Sequence, residues 1–446
     1  MSSLTVRAGE IVTPFPAPAL SMPFDGLATP WRVILTIALG TIIAMFLWTF
    51  VLFVRGQHAR RNAPDPDQEL ADAMTWIFLV PALNEEVTIA DSIDRLRQVN
   101  VADKRIVVID DGSDDRTPEI LAEFDDSTLV VVRRDPPAAR EGKAAALNYA
   151  YRELPARLGA IDRANTIVCV VDADGRLLAD APSFMAGHFR NPEVGGVQSQ
   201  VRIYNRQNLL GWFQDVEFGV YGALFQAGRN DWGTAGMGGN GQFNRLTALD
   251  DVADETGPWR DKLTEDQDLG LRLIAAGWLG KQDLRATVEQ QGLSRLRPLL
   301  RQRTRWSQGN LQCQGLLGAV LRSPRPMIAR VESAAYIMMP FWQSIIGVSI
   351  LVAVYLLITD QAAFWEGGNI WQLAFFYLLG FGGILMGCVA ARAARGWKHA
   401  LLGLLIAQVY AFYTWLIWPV LLRSTFRQLT DRRTWAKTDR ESLEKN

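Results

Sequence analysis

Four long apolar stretches interrupt an otherwise mixed pattern of hydrophobic and polar positions: residues 31–54, 334–358, 370–389 and 400–422. Each reaches the roughly 20 residues that a helix needs to span a bilayer, which predicts an integral membrane protein. The segment between the first stretch and the other three, 56–330, is long enough for one large domain with its own core. Inside it the pattern changes to short runs rich in β-branched residues, at 76–80, 105–109, 129–132 and 166–171, as expected of strands buried on both faces. Helical patterns at 85–98, 117–124 and 143–154 fill the gaps. This alternation predicts an α/β domain with a mostly parallel sheet and helices on both sides. Such sheets bind ligands beyond the carboxyl ends of their strands.

Charges flanking the apolar stretches give an orientation. Arg55, Arg60 and Arg61 follow the first stretch, whereas only Arg7 precedes Trp31 and Arg32. The positive-inside rule then places residues 1–30, read as a loose proline-rich tail rather than a cleaved signal peptide, outside a multi-pass protein of the cell membrane. The large domain falls in the cytoplasm. Arg322, Arg325 and Arg330 before the second stretch agree with this, as do Arg392, Arg395 and Lys398 before the fourth. The connector 359–369 also agrees, with Asp360 and Glu366 but no Lys or Arg. The basic C-terminal tail, 423–446, does not: three further crossings put it outside, yet it carries seven Lys/Arg against four acids. Either the tail tolerates this, since distal charges count for less, or one hydrophobic segment dips without crossing.

A net charge of −1 argues against a nucleic-acid partner. Cys169, Cys313 and Cys388 form no CxxC pair, so neither a disulfide framework nor a zinc ribbon is expected. Of the three histidines only His188 lies well inside the large domain, which leaves carboxylates to carry the chemistry.

Those carboxylates gather where strands end. The first strand runs into Pro81-Ala-Leu-Asn84-Glu85-Glu86, the second into Asp110-Asp111-Gly112-Ser113-Asp114-Asp115, and the fourth into Asp172-Ala-Asp174-Gly175. One such loop is ordinary turn chemistry; three at one rim ask for more. Asp172 and Asp174, two apart in an extended segment, point to one spot, a site for a hard divalent cation such as Mg²⁺ or Mn²⁺ held by carboxylates and substrate phosphates.

No GxxxxGK[ST] phosphate loop occurs. Gly236-Met-Gly238-Gly239-Asn240-Gly241 matches GxGxxG but lacks a strand before it and a helix after it, so it is either a plain turn or a loop that lets backbone approach a ligand. Thr264-Glu265-Asp266-Gln267 reads as a capping box opening a helix that Gly277 ends. A carboxylate at that helix start also suits a base that must take a proton from a hydroxyl. Arginines at 295, 297, 301, 303 and 305 precede Trp306 and an apolar run, 311–321, consistent with a helix on the membrane surface. The same helix would put Gln302, Arg305 and Trp306 on one face, where a guanidinium can bind a diphosphate and an indole can stack on a sugar.

In this order, Asp110-Asp111-Gly112, Asp172-Ala-Asp174, Thr264-Glu265-Asp266 and Gln302-Arg-Thr-Arg305-Trp306 resemble the D, DxD, TED and QxxRW motifs of membrane-embedded family 2 glycosyltransferases, the group of cellulose, chitin and hyaluronan synthases. Val80-Pro-Ala-Leu-Asn84-Glu85 and Glu141-Gly-Lys143-Ala-Ala-Ala-Leu-Asn148 are similar to the nucleotide-binding segments of that family. The likeness covers about 76–310 and the arrangement of one span before and several after.

The resemblance implies a GT-A fold over 56–293, a QxxRW segment with an interfacial helix over 294–330, and inverting transfer from a nucleotide sugar, by family habit a UDP-sugar. It implies that Glu85 and Asp110 hold the nucleoside with Asp111 nearby, that Asp172 contacts the nucleotide, and that Asp174 binds the Mg²⁺ or Mn²⁺. Lys143 and Arg305 would neutralise leaving-group charge, Asp266 would be the base, and Gln302 would position donor and acceptor. Trp306, Glu265 and the loop Gly239-Asn240-Gly241 would shape the acceptor site. The acceptor is a carbohydrate or a glycolipid. A processive polysaccharide synthase, with an export partner, is the favoured subclass; transfer of one sugar to a membrane lipid is the alternative. A transporter or scaffold that kept the fold is disfavoured, because it needs no base and the spans contain no Asp, Glu or Lys.

Overall fold

A computed structural model describes residue 24 and residues 26–159, 161–361 and 370–430. Most of the tail predicted over 1–30, Glu366 of the connector and residues 431–446 of the basic tail lie outside the described residues.

Eight strands form one sheet: β1 (Thr75–Ala82), β2 (Asp103–Asp110), β3 (Leu129–Arg133), β4 (Thr166–Val170), β5 (Arg176–Leu177), β6 (Val194–Ile203), β7 (Gln242–Arg245) and β8 (Leu279–Gln290). Their order is β3-β2-β1-β4-β7-β6-β8-β5. The first four run parallel to one another, β7 is antiparallel to β4 and β6, β6 and β8 are parallel, and the short β5 is antiparallel to β8. The expected mostly parallel sheet is therefore present, with β7 reversing direction at its centre.

Alternate residues of the strands face two cores, as the pleat requires. Phe78, Val80, Ile106 and Cys169 pack with Ile93, Leu96 and Met185 on one face. Ile77, Leu79, Val107 and Val168 pack with Leu147, Ala150, Leu269 and Leu273 on the other. Burial on both faces is why these strands read as unbroken hydrophobic runs. The helix expected from residue 85 starts later, at Ile89, because Asn84 takes a left-handed turn (φ 53°) and the Glu85 carbonyl closes a loop onto the Thr88 and Ile89 amides. That turn lets Asn84 and Asp114 bond reciprocally: Asn84 Nδ2 donates to Asp114 Oδ1 at 2.6 Å, and the Asp114 amide donates to Asn84 Oδ1 at 2.9 Å. The loops after β1 and β2 are thus stitched into one rim.

Among the described residues, four helices are long and apolar enough to cross a membrane: Thr29–Arg61, Met339–Ile358, Ala374–Ala393 and Trp397–Leu429. The last differs from the single span expected over 400–422, since it is two helices, Trp397–Thr414 and Ile417–Leu429. Pro419 explains the break, because it has no amide to donate to the Trp415 carbonyl one turn back. The second piece docks on the α/β domain. Its Ser424 shares a 2.8 Å hydrogen bond with Ser307, and its Arg427 Nε donates to Gln308 Oε1 at 3.0 Å. The first piece touches the domain at its end through Tyr413, which packs with Phe213 and Val220. Ala391, just before its start, packs on Gly219 of that same helix, Leu209–Val220.

The QxxRW segment is a helix, Leu296–Gln312, as expected. The apolar run 311–321, expected on the membrane surface, instead buries Cys313 and Val320 against Leu271 and Ile337.

Candidate active site

A cavity of about 520 Å³ opens where the carboxyl ends of β1 and β4 meet the starts of the helices Glu265–Ala276 and Met339–Ile358. On its sheet side the lining includes Glu85, Asp111, Lys143, Asp172 and Asp174. Lys143 Nζ donates to Asp172 Oδ1 at 2.6 Å and lies 3.6 Å from Glu265 Oε1. Burial alone would lower the Lys143 ammonium, but the Asp172 and Glu265 carboxylates override it and hold it above the ordinary lysine value. Asp174 is buried, and its Oδ2 accepts from the Gln291 amide at 3.0 Å. Burial raises the Asp111 carboxyl, a push opposed by Arg134, whose Nη1 donates to Asp111 Oδ1 at 2.6 Å.

Three expected site residues stand behind this surface. Asp110 faces away from the cavity: its Oδ1 accepts from the Ser113 amide at 2.9 Å and its other oxygen pairs with Arg133, so it braces the loop that presents Asp111. Asn240 is buried. Its Oδ1 accepts from the Asp172 amide at 3.1 Å, and its Nδ2 donates to Gln290 Oε1 at 3.0 Å. Gly241 takes φ 67° and donates its amide to the Val170 carbonyl, and a Cβ there would fall 2.0 Å from Ser199 Oγ. Only Gly239 of that trio lines the cavity. The loop is followed by β7 and not by a helix, as the rejection of a dinucleotide fingerprint expected.

The far wall begins at the helix Glu265–Ala276, ended as expected by Gly277 in the left-handed region. The capping box does not form: Thr264 makes no side-chain cap bond, and the Gln267 side chain lines the cavity instead. Asp266 Oδ1 accepts from the Gln267 amide at 2.8 Å. Its carboxyl is pushed up to about 7, first by burial and then by the neighbouring Glu265, against the pull of Lys143 and the Gln267 amide. A Cβ on Gly239 would come 2.8 Å from Asp266 Oδ2, so the glycine lets the loop close over the acid. A carboxylate with this value can hold or release a proton near neutral pH, which is what general-base work asks for.

Gln302, Arg305 and Trp306 line the cavity together, as one helical face should. Phe218 meets the Trp306 ring edge-on at 6.2 Å. Beyond them the wall turns apolar through Met339, Pro340, Ile417 and Val420, contributed by the membrane-spanning candidates.

Residues 75–309 match the family model described as glycosyltransferase like family 2. The chain belongs to that family. It is 31% identical over 290 residues to a beta-monoglucosyldiacylglycerol synthase of Trichormus variabilis, covering 63% of this chain and 57% of that one. The chain thus matches little more than half the length of that relative. It is 25% identical over 391 residues to a poly-beta-1,6-N-acetyl-D-glucosamine synthase of Staphylococcus epidermidis, covering 82% of this chain and 88% of that one. The fold is shared with the mannosyltransferase PcManGT from Pyrobaculum calidifontis, solved with GDP-Man and Mn²⁺, at a TM-score of 0.57 and 19% identity over 90% of this chain and 99% of that one.

Sequence reasoning passed over several residues of this family 2 site. Arg303 and Glu217 line the cavity, and so does Tyr221, whose hydroxyl lies 2.9 Å from that of Tyr336. Arg303 was legible only as one of a run of arginines and as an unspecified position in QxxRW, with no role of its own. Glu217 lies on the helix Leu209–Val220 and Tyr221 directly after it, in a stretch with no motif, and only packing brings them here.

Proposed function

We propose that this family 2 glycosyltransferase moves a sugar, with inversion, from a nucleoside-diphosphate sugar to an acceptor hydroxyl at the membrane side of the α/β domain. The observation that carries the reading is the position of Asp266, which lines one cavity with Asp172, Asp174 and Lys143 on one side and Arg305 and Trp306 on the other. Glu85 and Asp111 would hold the nucleoside, with Asp110 bracing the loop from behind. Asp172 and Asp174 form an all-oxygen pair suited to Mg²⁺ or Mn²⁺, and no set of three His, Cys, Asp or Glu completes a cage among the described residues. The ion, when bound, supplies positive charge to the diphosphate. Lys143 and Arg305 would stabilise the same departing charge, Gln302 would orient the sugars, and Asp266 would take the proton of the attacking hydroxyl. Glu265 would act mainly by tuning Lys143 and Asp266. That PcManGT was solved with GDP-Man and Mn²⁺ is consistent with this donor set.

The catalytic domain is read as cytoplasmic in a multi-pass protein of the cell membrane, from the arginines that flank the spans. The last two helices, anchored on the domain through Tyr413, Ser424 and Arg427, favour a last apolar segment that dips without crossing. This also removes the conflict with the basic tail.

Between the two acceptor classes the cavity favours a membrane lipid, because its outer wall is apolar where Met339, Pro340, Ile417 and Val420 meet. A growing polysaccharide is the second reading, supported by an alignment with the N-acetylglucosamine polymer synthase that runs over 82% of this chain. Chromatography of products made from labelled UDP-sugars in membranes tests both. A single labelled glycolipid supports the first reading and a ladder of polymers the second; no labelled product would overturn the proposed reaction.

A further inference from the structure

Three side chains outside the acid and glycine motifs join the last apolar helix to the QxxRW segment. Glu217, on the helix Leu209–Val220, holds one guanidinium by two bonds: Arg303 Nε donates to Oε1 at 3.1 Å and Nη2 to Oε2 at 2.6 Å. The Tyr413 hydroxyl also donates to Glu217 Oε2, at 2.7 Å. Arg303 Nη1 donates to Gln302 Oε1 at 2.6 Å, and the guanidinium lies 4.2 Å from the centroid of the Trp306 ring. All three nitrogens of Arg303 are therefore engaged, and its plane is fixed against the indole.

Tyr413 itself is seated by Phe213, stacked at 5.1 Å and 18°. It does not line the cavity, whereas Glu217, Arg303, Gln302 and Trp306 do. A buried ion pair contributes little net stability against an apolar replacement. What a forked, bidentate guanidinium supplies is direction.

We infer that Glu217, Arg303 and Tyr413 form a positioning relay, through which the helix Trp397–Thr414 sets the orientation of Gln302 and Trp306 at the acceptor end of the site. The inference rests on the proposed reaction, with Gln302 orienting the sugars and Trp306 shaping the acceptor site as the family resemblance implies. Tyr413 restrains the Glu217 carboxylate, the carboxylate fixes the Arg303 fork, and the fork holds the amide of Gln302 and the face of Trp306 in register. A platform held this way presents the acceptor hydroxyl to Asp266 without the freedom of a single-anchored ring.

The test uses the full chain in detergent micelles, with dioleoylglycerol or a short β-1,6-linked N-acetylglucosamine oligomer as acceptor, whichever the wild-type protein glycosylates. Tyr413→Phe removes one hydroxyl and little volume. It should raise the acceptor KM about tenfold, the size of a lost hydrogen bond to a charged group, while leaving the donor KM and the slow hydrolysis of donor by water unchanged. Glu217→Gln should have a larger effect of the same kind, and the double variant should add little to it, as coupled residues do. An unchanged acceptor KM in Tyr413→Phe, or a parallel loss of donor binding and hydrolysis, would overturn the relay. A wild-type protein that neither transfers nor hydrolyses sugar would overturn the proposed reaction instead.

Discussion

The half of the cavity proposed for the donor is made by loops at the ends of β1, β2 and β4, whereas the half proposed for the acceptor is made by helix faces that arrive from separate parts of the chain. In the first half the loops after β1 and β2 are held locally, Asp110 by the Ser113 amide and Asn84 and Asp114 by each other, while Asp111, Asp172 and Asp174 are held by Arg134, Lys143 and the Gln291 amide. In the second, Glu217 meets Arg303 across 86 residues of chain and Tyr413 across 196. Loops stitched to one another in this way are stiff, and they fix where the acids stand. Helix-built geometry depends on how apolar helices dock, so it should respond to the membrane around it.

The largest expected effect falls on the donor half. Chelation with EDTA should abolish transfer, Mg²⁺ or Mn²⁺ should restore it, and Asp174→Asn should lower kcat by about 10²- to 10³-fold. Full activity in chelator would break the donor side of the comparison.

Next comes the boundary between the halves, where Asp266 stands. Its carboxyl, raised to about 7, must be ionised to accept a proton, so kcat/KM should fall as pH drops below about 7 and level off above it. Glu265 raises this value and Lys143 lowers it. Glu265→Gln should therefore move the acid limb to lower pH, and Lys143→Met to higher pH. A wild-type limb at about 4, the ordinary carboxylate value, would contradict the environment assigned to Asp266.

A smaller effect separates acceptor from donor. Trp306→Ala should raise the acceptor KM about tenfold with the donor KM unchanged, as loss of a stacking surface does. Steady-state kinetics with each substrate varied in turn would show it, and a matching rise in donor KM would merge the two halves into one. The smallest effect lies outside the cavity. Ser424→Ala removes the bond to Ser307 and should cost about 1 kcal/mol of stability, seen as a modest fall in Tm.

The same contrast explains what could be read from the chain. Strands β1, β2 and β4 announce themselves because they are buried on both faces, and their terminal acids stand next to them in sequence; the edge strand β3, with Val131 exposed, was legible only from its β-branched run. Gln302, Arg305 and Trp306 were legible as one helical face. The exchange of Asp110 and Asp111 was not, because it depends on Arg133 and Arg134, side chains from the next strand and the turn after it. Asn240 and Gly241 looked like ligand contacts, and packing turned them into the support under Asp172. Glu217 and Tyr413 carry no local signal at all. The broken last helix did have one: Pro419 sits inside the apolar stretch, where its missing amide disfavours an uninterrupted span.

The most direct measurement compares Asp266→Asn with the wild-type protein in two assays, nucleotide affinity by calorimetry and sugar transfer from labelled donor. A carboxamide keeps the shape of Asp266 and cannot accept the proton. Binding of nucleotide should persist within about twofold while transfer falls by at least about 10²-fold. Transfer retained at near wild-type rate would remove Asp266 as the base, and with it the meeting of the two halves at one reacting centre.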